Sequence, residues 1–222
     1  LNTNLEFSEE SVKGSFIYAR PNFNYSDNTL FTSLKSTTTD NLSDFGYKVS
    51  NVGLSAGTSF EQYENFFFKP EIDLSIEDLT TNSSASNSIK KQKGTYTDLY
   101  FNYGLTHDLR NSYYRPSKGY RTNFYQTLPV VSDNGEVSNI LTHTLYKTLN
   151  ENKDMIGKAS IYLKAVNSIN GSDVRISKRG NVPYGRLRGF EKGKVGPVEN
   201  NDYIGGNYVS TLNLSANLPF VF

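Results

Sequence analysis

Gly205-Gly-Asn207 runs directly into Tyr208-Val-Ser-Thr-Leu-Asn-Leu-Ser-Ala-Asn-Leu218, and the reading of this stretch decides the fold. Tyr208, Ser210, Leu212, Leu214, Ala216 and Leu218 fall on one side of the segment, and Val209, Thr211, Asn213, Ser215 and Asn217 on the other. A period of two is that of a β-strand with two different faces. Just upstream lies a polar, Gly-rich segment, 168–206, which carries Tyr184-Gly-Arg-Leu-Arg-Gly-Phe190 and then Gly196-Pro197. A long loop therefore feeds a two-faced strand.

The same alternation recurs outward from this point. Residues 12–23 read as a strand with Pro21 near its end, where a missing ladder donor is tolerated. Further strands are expected at 30–37, 45–60 and 66–77, with polar connections at 24–28 and 38–43. In the clearest of them, Phe66, Phe68, Pro70, Ile72, Leu74 and Ile76 oppose Phe67, Lys69, Glu71, Asp73, Ser75 and Glu77. Residues 79–94 are rich in Ser, Thr, Asn and Lys and read as a long mobile loop. Thr97, Leu99, Phe101, Tyr103 and Leu105 then oppose Asp98, Tyr100, Asn102, Gly104 and Thr106, and Ile161 and Leu163 oppose Lys158 and Lys164. Asp133-Asn-Gly135 is hairpin-turn chemistry, since Asn-Gly accepts the positive φ of a type I′ turn. The turns 24–28, 62–65 and 133–135 and the long loop 168–206 are expected at one end, opposite the remaining connections.

The count is about ten strands and no convincing helix. The apolar faces carry few charges, the segments are long for a soluble sandwich, and aromatics stand at strand ends, so the pattern points to an all-β, antiparallel transmembrane β-barrel built as a meander. A soluble β-sandwich, with one wet face, is the competing fold.

Composition narrows the function. Lys plus Arg number 23 against 22 for Asp plus Glu, which leaves a net charge of +1 and argues against nucleic acid as a partner. Tyr 16 and Phe 14, against Trp 0 and Met 1, suit a sheet, and with Cys 0 there is no disulfide and no thiolate metal site. A mean hydropathy of −0.54 fits a barrel, in which only alternate residues meet lipid. The chain starts at Leu1 with no leader pattern, so a removed leader or a fragment is expected.

Catalytic chemistry is sparse. His107 and His143 have no carboxylate at metal-ligand spacing, and no metal site or nucleophile system stands out. Glu71, Asp73 and Glu77 share one strand face and read as a solvated lumen wall. Lys178, Arg179, Arg186 and Arg188 form a basic cluster suited to internal carboxylates or anionic headgroups. Arg188 is the residue with a candidate role, because Gly189 allows a tight backbone, Phe190 can fill a pocket, and a guanidinium fork can hold a carboxylate bidentately. The carboxylates within its expected reach are Glu191, Glu199 and Asp202, with Asp98 and Glu71 behind them.

Leu187-Arg188-Gly189-Phe190, Gly196-Pro197 and Gly205-Gly206-Asn207, in that order and ahead of a strand, resemble the sixth external loop and twelfth strand of the BamA family of outer-membrane protein assembly factors. Phe101-Asn-Tyr-Gly104, Tyr114-Arg-Pro-Ser-Lys-Gly119 and Arg121 resemble an earlier strand, turn and strand of that family. Residues 1–222 then read as a partial outer-membrane barrel, with 168–206 as the external loop. The resemblance implies a barrel of about sixteen strands, of which this chain matches the third to the twelfth. It also implies preceding periplasmic POTRA domains, the bacterial outer membrane as location, unfolded outer-membrane proteins as clients, assembly-complex lipoproteins and outer-membrane lipids as partners, no cofactor, and no enzymatic reaction. Two departures stand out. Asn181-Val-Pro-Tyr-Gly185 replaces the family's aromatic and paired glycines, and Ser215 stands where the family often has a Glu facing the loop arginine. Two-partner secretion transporters and mitochondrial sorting-and-assembly barrels share Arg-Gly-Phe and are the alternative relatives.

Overall fold

The computed structural model describes residues 2–7, 11–152 and 154–217. Ten strands form one antiparallel sheet: β1 (Asn2–Phe7), β2 (Ser11–Arg20), β3 (Thr29–Asn41), β4 (Tyr47–Tyr63), β5 (Phe66–Thr81), β6 (Gly94–Asp108), β7 (Gly119–Ser132), β8 (Glu136–Thr148), β9 (Ile156–Ser168) and β12 (Tyr208–Asn217). Each strand pairs with the next in sequence, and β12 pairs with β9 across the long loop, so β1 and β12 are the edges of the sheet. A separate two-stranded hairpin, β10 (Val198–Glu199) and β11 (Asp202–Tyr203), lies inside that loop. Leu1 and residues 218–220, read from the sequence as the start of a first strand and the end of a last strand running 208–220, lie outside the described residues.

The register sorts the two faces as the alternation requires. Ile72, Leu74 and Ile76 of β5 stand opposite Phe101, Leu99 and Thr97 of β6, and Leu212 and Leu214 of β12 opposite Ile161 and Ala159 of β9. This face is apolar and largely bare of protein: Ile72, Leu74, Ile76, Ile161, Leu163, Leu212 and Leu214 are all exposed. The other face buries Glu71, Ser75, Glu77, Asp98, Asn102 and Ser160. Apolar outside and polar inside is the inverse of a soluble sandwich and the arrangement of a membrane barrel wall. β4 to β7 run for 17, 16, 15 and 14 residues, long enough to cross a bilayer when tilted.

Three expectations need correction. Three strands separate the 62–65 turn from Asp133–Gly135, and each strand reverses direction, so these turns lie at opposite ends of the sheet. The 133–135 turn shares its end with the long loop, whereas 24–28 and 62–65 lie at the other. The 79–94 segment is not a free loop. β5 continues to Thr81, a single turn of helix, α2 (Asn87–Lys90), follows, and Leu79, Ala85 and Ile89 are buried. These three pack with Tyr47 and with Ile176 of the long loop, and Phe45, Val49, Tyr96 and Ile204 close around them. The few apolar residues of a polar stretch thus supply one face of a buried apolar cluster that sits beneath the loops. A second one-turn helix, α1 (Leu42–Phe45), occupies the rest of the expected 38–43 loop, which is otherwise strand.

The Pro116-Ser-Lys-Gly119 turn shows why a glycine is required there. Gly119 has φ +96°, and a Cβ would lie 2.0 Å from the Leu109 carbonyl oxygen, which itself accepts no such crowding.

Leu163→Arg, in the middle of the outward face of β9, should destabilise the full-length protein in lipid vesicles by about 2–4 kcal/mol in urea unfolding, and Lys158→Gln on the inward face by well under about 1 kcal/mol. Equal effects would contradict the assignment of faces.

Candidate functional site

The long loop turns back over the inward face of the sheet, and its stem is fixed by Arg175. Val174, Arg175 and Ile176 are all buried, and the Arg175 side chain has no exposed surface. Its Nη2 donates to Asp98 Oδ2 at 2.7 Å, to Glu136 Oε2 at 3.0 Å and to the Tyr100 hydroxyl at 3.2 Å. Its Nε and its backbone N–H both reach Glu136 Oε1, at 3.3 and 3.2 Å. Nη1 makes no hydrogen bond but lies 3.6 Å from Glu77 Oε1, and the guanidinium sits 4.3 Å from the centre of the Tyr96 ring. Three carboxylates from β5, β6 and β8 therefore converge on one cation from the loop. Burial by itself disfavours the Arg175 charge, but the hydrogen bond and proximity of Glu136, with Glu77 and Asp98 beside it, more than offset this and hold the guanidinium above its ordinary pKa.

Neighbouring contacts extend the anchor. Ser177 donates to Glu77 at 2.6 Å, and Lys178 lies 3.6 Å from the same carboxylate and over the Tyr100 ring. Lys164 of β9 donates to the carbonyls of Lys178 and Arg179 at 2.9 and 3.1 Å, and the Ile176 N–H donates to Gln92 at 2.6 Å. Gly180 and Gly206 then exchange backbone hydrogen bonds of 2.7 and 2.9 Å. A Cβ on Gly180 would lie 2.7 Å from Val209, and Gly205 has φ +64° with the Gly180 carbonyl 3.2 Å from where its Cβ would be. The Gly205-Gly206-Asn207 motif is thus a close crossing of the loop's two stems, and the Asn207 carbonyl accepts from Val166 at 2.8 Å.

Gly196-Pro197 leads into the β10–β11 hairpin, where the Pro197 carbonyl accepts from Ile204 at 3.0 Å. From that hairpin Asp202 accepts from the Ser86 N–H at 2.6 Å, and Glu199 accepts from the Ser88 hydroxyl. Both carboxylates are committed to the start of α2, which ties the long loop to the β5–β6 connection.

The Arg-Gly-Phe tip is placed differently from the expectation. Arg188, Gly189 and Phe190 are exposed, Gly189 has φ +83°, and Arg188 makes no hydrogen bond or ion pair among the described residues. Each carboxylate expected to hold it is engaged elsewhere: Glu191 by Lys194 at 2.6 Å, Glu199 and Asp202 by α2, Asp98 by Arg175, and Glu71 nearest to Lys69. Arg186 meets the wall instead. Its carbonyl accepts from Asn213 at 2.6 Å, its Nη1 lies 3.4 Å from Ser160 and Asn213, and its guanidinium lies 5.1 Å from the Tyr162 ring centre. Arg186 and Arg188 line one cavity with Lys158 and Ser215.

Arg175 itself went unremarked in the sequence. Its signal was a lone arginine between two β-branched residues, facing acidic positions at the loop-side ends of strands whose other inward residues are polar. His107 bonds Tyr120 and His143 bonds Thr122, and among the described residues no group of three or more His, Cys, Asp or Glu could hold a metal ion.

A family profile described as "Omp85 superfamily domain" matches residues 1–222. Among solved structures the fold is similar to the crystal structure of BamA from Haemophilus ducreyi lacking POTRA domains 1-3, with a TM-score of 0.87 and 21% identity over 99% of this chain and 48% of that one. The chain therefore spans about half the length of that structure, 48% of it, and at this identity the likeness is one of fold. No curated protein sequence matches.

Arg175→Ala leaves Asp98 and Glu136 buried without their cation and Glu77 with Lys178 alone, which should cost about 3–5 kcal/mol and release the loop. Limited proteolysis of the full-length protein should then cut within 169–207 much faster than in the parent, while Arg188→Ala leaves the cleavage pattern unchanged. Arg175→Lys should behave like the alanine variant, because a point charge cannot serve Glu136 and Asp98 together.

Proposed function

The chain belongs to the Omp85 superfamily, and on that footing we propose that it forms part of the wall of a barrel that inserts β-barrel proteins into the bacterial outer membrane. The observation that carries this reading is the combination of a wide antiparallel wall with a long loop anchored on its inner face and bearing Leu187-Arg188-Gly189-Phe190 at its tip. A similar fold in a BamA adds support. In this reading the clients are unfolded outer-membrane proteins, the partners are assembly lipoproteins and outer-membrane lipids, and no covalent chemistry is performed. Insertion is favoured by exposing strand edges to incoming strands and by weakening the bilayer around the wall.

The outward face offers a physical basis for the second effect. On β5 the outward positions from Phe66 to Ile76 are apolar without a break, whereas on β12 Ser210 interrupts the outward row of Tyr208, Leu212, Leu214 and Ala216 and shortens its unbroken apolar band. A shorter apolar band draws the hydrocarbon layer in around it. Lys158, Arg186 and Arg188 lie at that same side, and in this reading the exposed Arg188 engages a carboxylate of a barrel strand beyond β12 or of a partner. The anchored loop also suits a plugged transporter of the two-partner secretion type, and the test separates the two readings.

The full-length gene, expressed in a bacterium depleted of its own assembly factor, should restore growth and outer-membrane protein levels. Arg188→Ala should lower that rescue several-fold at unchanged protein level and loop protection. Steady ion conductance in planar bilayers without any rescue would favour the transporter.

A further inference from the structure

Beneath the anchored loop, the inward face of the sheet encloses a cavity of about 320 Å³ whose acidic wall the loop leaves unused. Glu71 and Asp73, two residues apart on β5, both line it, as does Asn102, the cross-strand neighbour of Glu71 on β6. The carboxylates Glu77, Asp98 and Glu136 are spoken for by Arg175. Asp73 makes no hydrogen bond or ion pair among the described residues. Glu71 is 7% exposed, accepts no hydrogen bond, and has as its nearest cation Lys69 at 3.9 Å, whose ammonium group lies 4.4 Å from the centre of the Phe31 ring.

Three cations border the same cavity: Lys35, Lys164 and Lys178. Lys164 is engaged by two loop carbonyls and Lys178 by Glu77 and Tyr100, so of these three only Lys35 makes no hydrogen bond or ion pair among the described residues, and Lys69 reaches Glu71 from outside the cavity lining. A second observation points the same way. Asn102 is 6% exposed, and its Oδ1 is buried with no hydrogen-bond donor. A buried acceptor left without a donor costs about 1–3 kcal/mol, and it stands beside a buried carboxylate in the same condition.

We propose that Glu71, Asp73 and Asn102 bind a hard divalent cation, Mg2+ or Ca2+, that keeps part of its water shell. All three side chains offer oxygen, the donor these ions prefer, and two of them carry charge. Among the described residues no group of three or more His, Cys, Asp or Glu could by itself hold a metal ion, which suits an ion held by two carboxylates, an amide oxygen and water instead of a closed protein cage. At about 30 Å³ per water molecule, the cavity has room for the ion and its shell. Binding there would tie β5 to β6 directly below the Arg175 anchor and remove the repulsion between Glu71 and Asp73.

The test uses the full-length protein in lipopolysaccharide-free detergent, stripped with EDTA, with MgCl2 and CaCl2 titrated separately by calorimetry. One saturable site is expected for at least one of the two ions. Glu71→Gln with Asp73→Asn should weaken it by about tenfold or more, since affinity follows ligand charge. Glu191→Gln, in the exposed loop tip, should leave it unchanged. Asn102→Asp should strengthen it, and this gain serves as the deciding measurement if the double variant does not fold. No saturable binding by either ion, or affinities that are the same in the double variant or in Asn102→Asp as in the parent, would overturn the proposal.

Discussion

A guanidinium with no exposed surface has to take its counter-charges with it, and the course of the long loop follows from that constraint. Removing an ion from water costs several kcal/mol, and the attraction inside a protein offsets this only with close and nearly complete pairing. Glu77, Asp98 and Glu136 come from three different strands and meet at one point on the inward face. The need is mutual, because three buried carboxylates without a cation would repel one another. Arg175 therefore has one place to go. Once it is there, Ser177 and Lys178 fall beside Glu77, Lys164 reaches the next two carbonyls, and Gly180 arrives against Gly206.

The sheet was legible because a strand's period is two and its faces meet different solvents. Leu74 and Leu99 must share a side, as must Asp98 and Ser132, whatever the rest of the chain does. Strand ends were harder to read. Thr38 to Asn41 are polar and look like loop, but they pair with Tyr47–Ser50 because backbone hydrogen bonds do not depend on side-chain polarity. The placement of Asp133–Gly135 failed for a simpler reason. Which end of a meander a turn occupies depends on the parity of the strands before it, and the three strands between 62–65 and 133–135 put those two turns at opposite ends.

The site was legible only in outline. Arg-Gly-Phe, Gly-Pro and Gly-Gly-Asn all lie in the connection between β9 and β12, and two of the three have a local geometric reason in the structure: the stem crossing at Gly180–Gly206 and the entry to the β10–β11 hairpin. The partner of the buried arginine could not be read from them. An ion pair across 39 or 77 positions of sequence has no local pattern, and nothing in Asp173-Val-Arg-Ile176 announces that three carboxylates wait on the wall. The motif drew the reading to Arg188, whereas burial selects Arg175, whose flanking Val174 and Ile176 enter the interior with it.

Stem and tip consequently divide the loop's work. The Arg175 anchor, the Gly180–Gly206 crossing and the grip of Asp202 and Glu199 on α2 fix both stems, so the ends of the segment between them are already close. Closing a loop costs entropy that grows only slowly with length, and here the stem contacts have met that cost before the tip makes any contact. The tip is then free to stay exposed without the loop leaving the lumen. Arg186 holds it lightly to β9 and β12 through neutral partners, which leaves Arg188 and Phe190 facing outward from the loop. Had Arg188 been the anchor, the tip would be buried in its own counter-ions and could meet nothing else. An arginine in the stem is what allows Arg188, Gly189 and Phe190 to remain exposed at the tip.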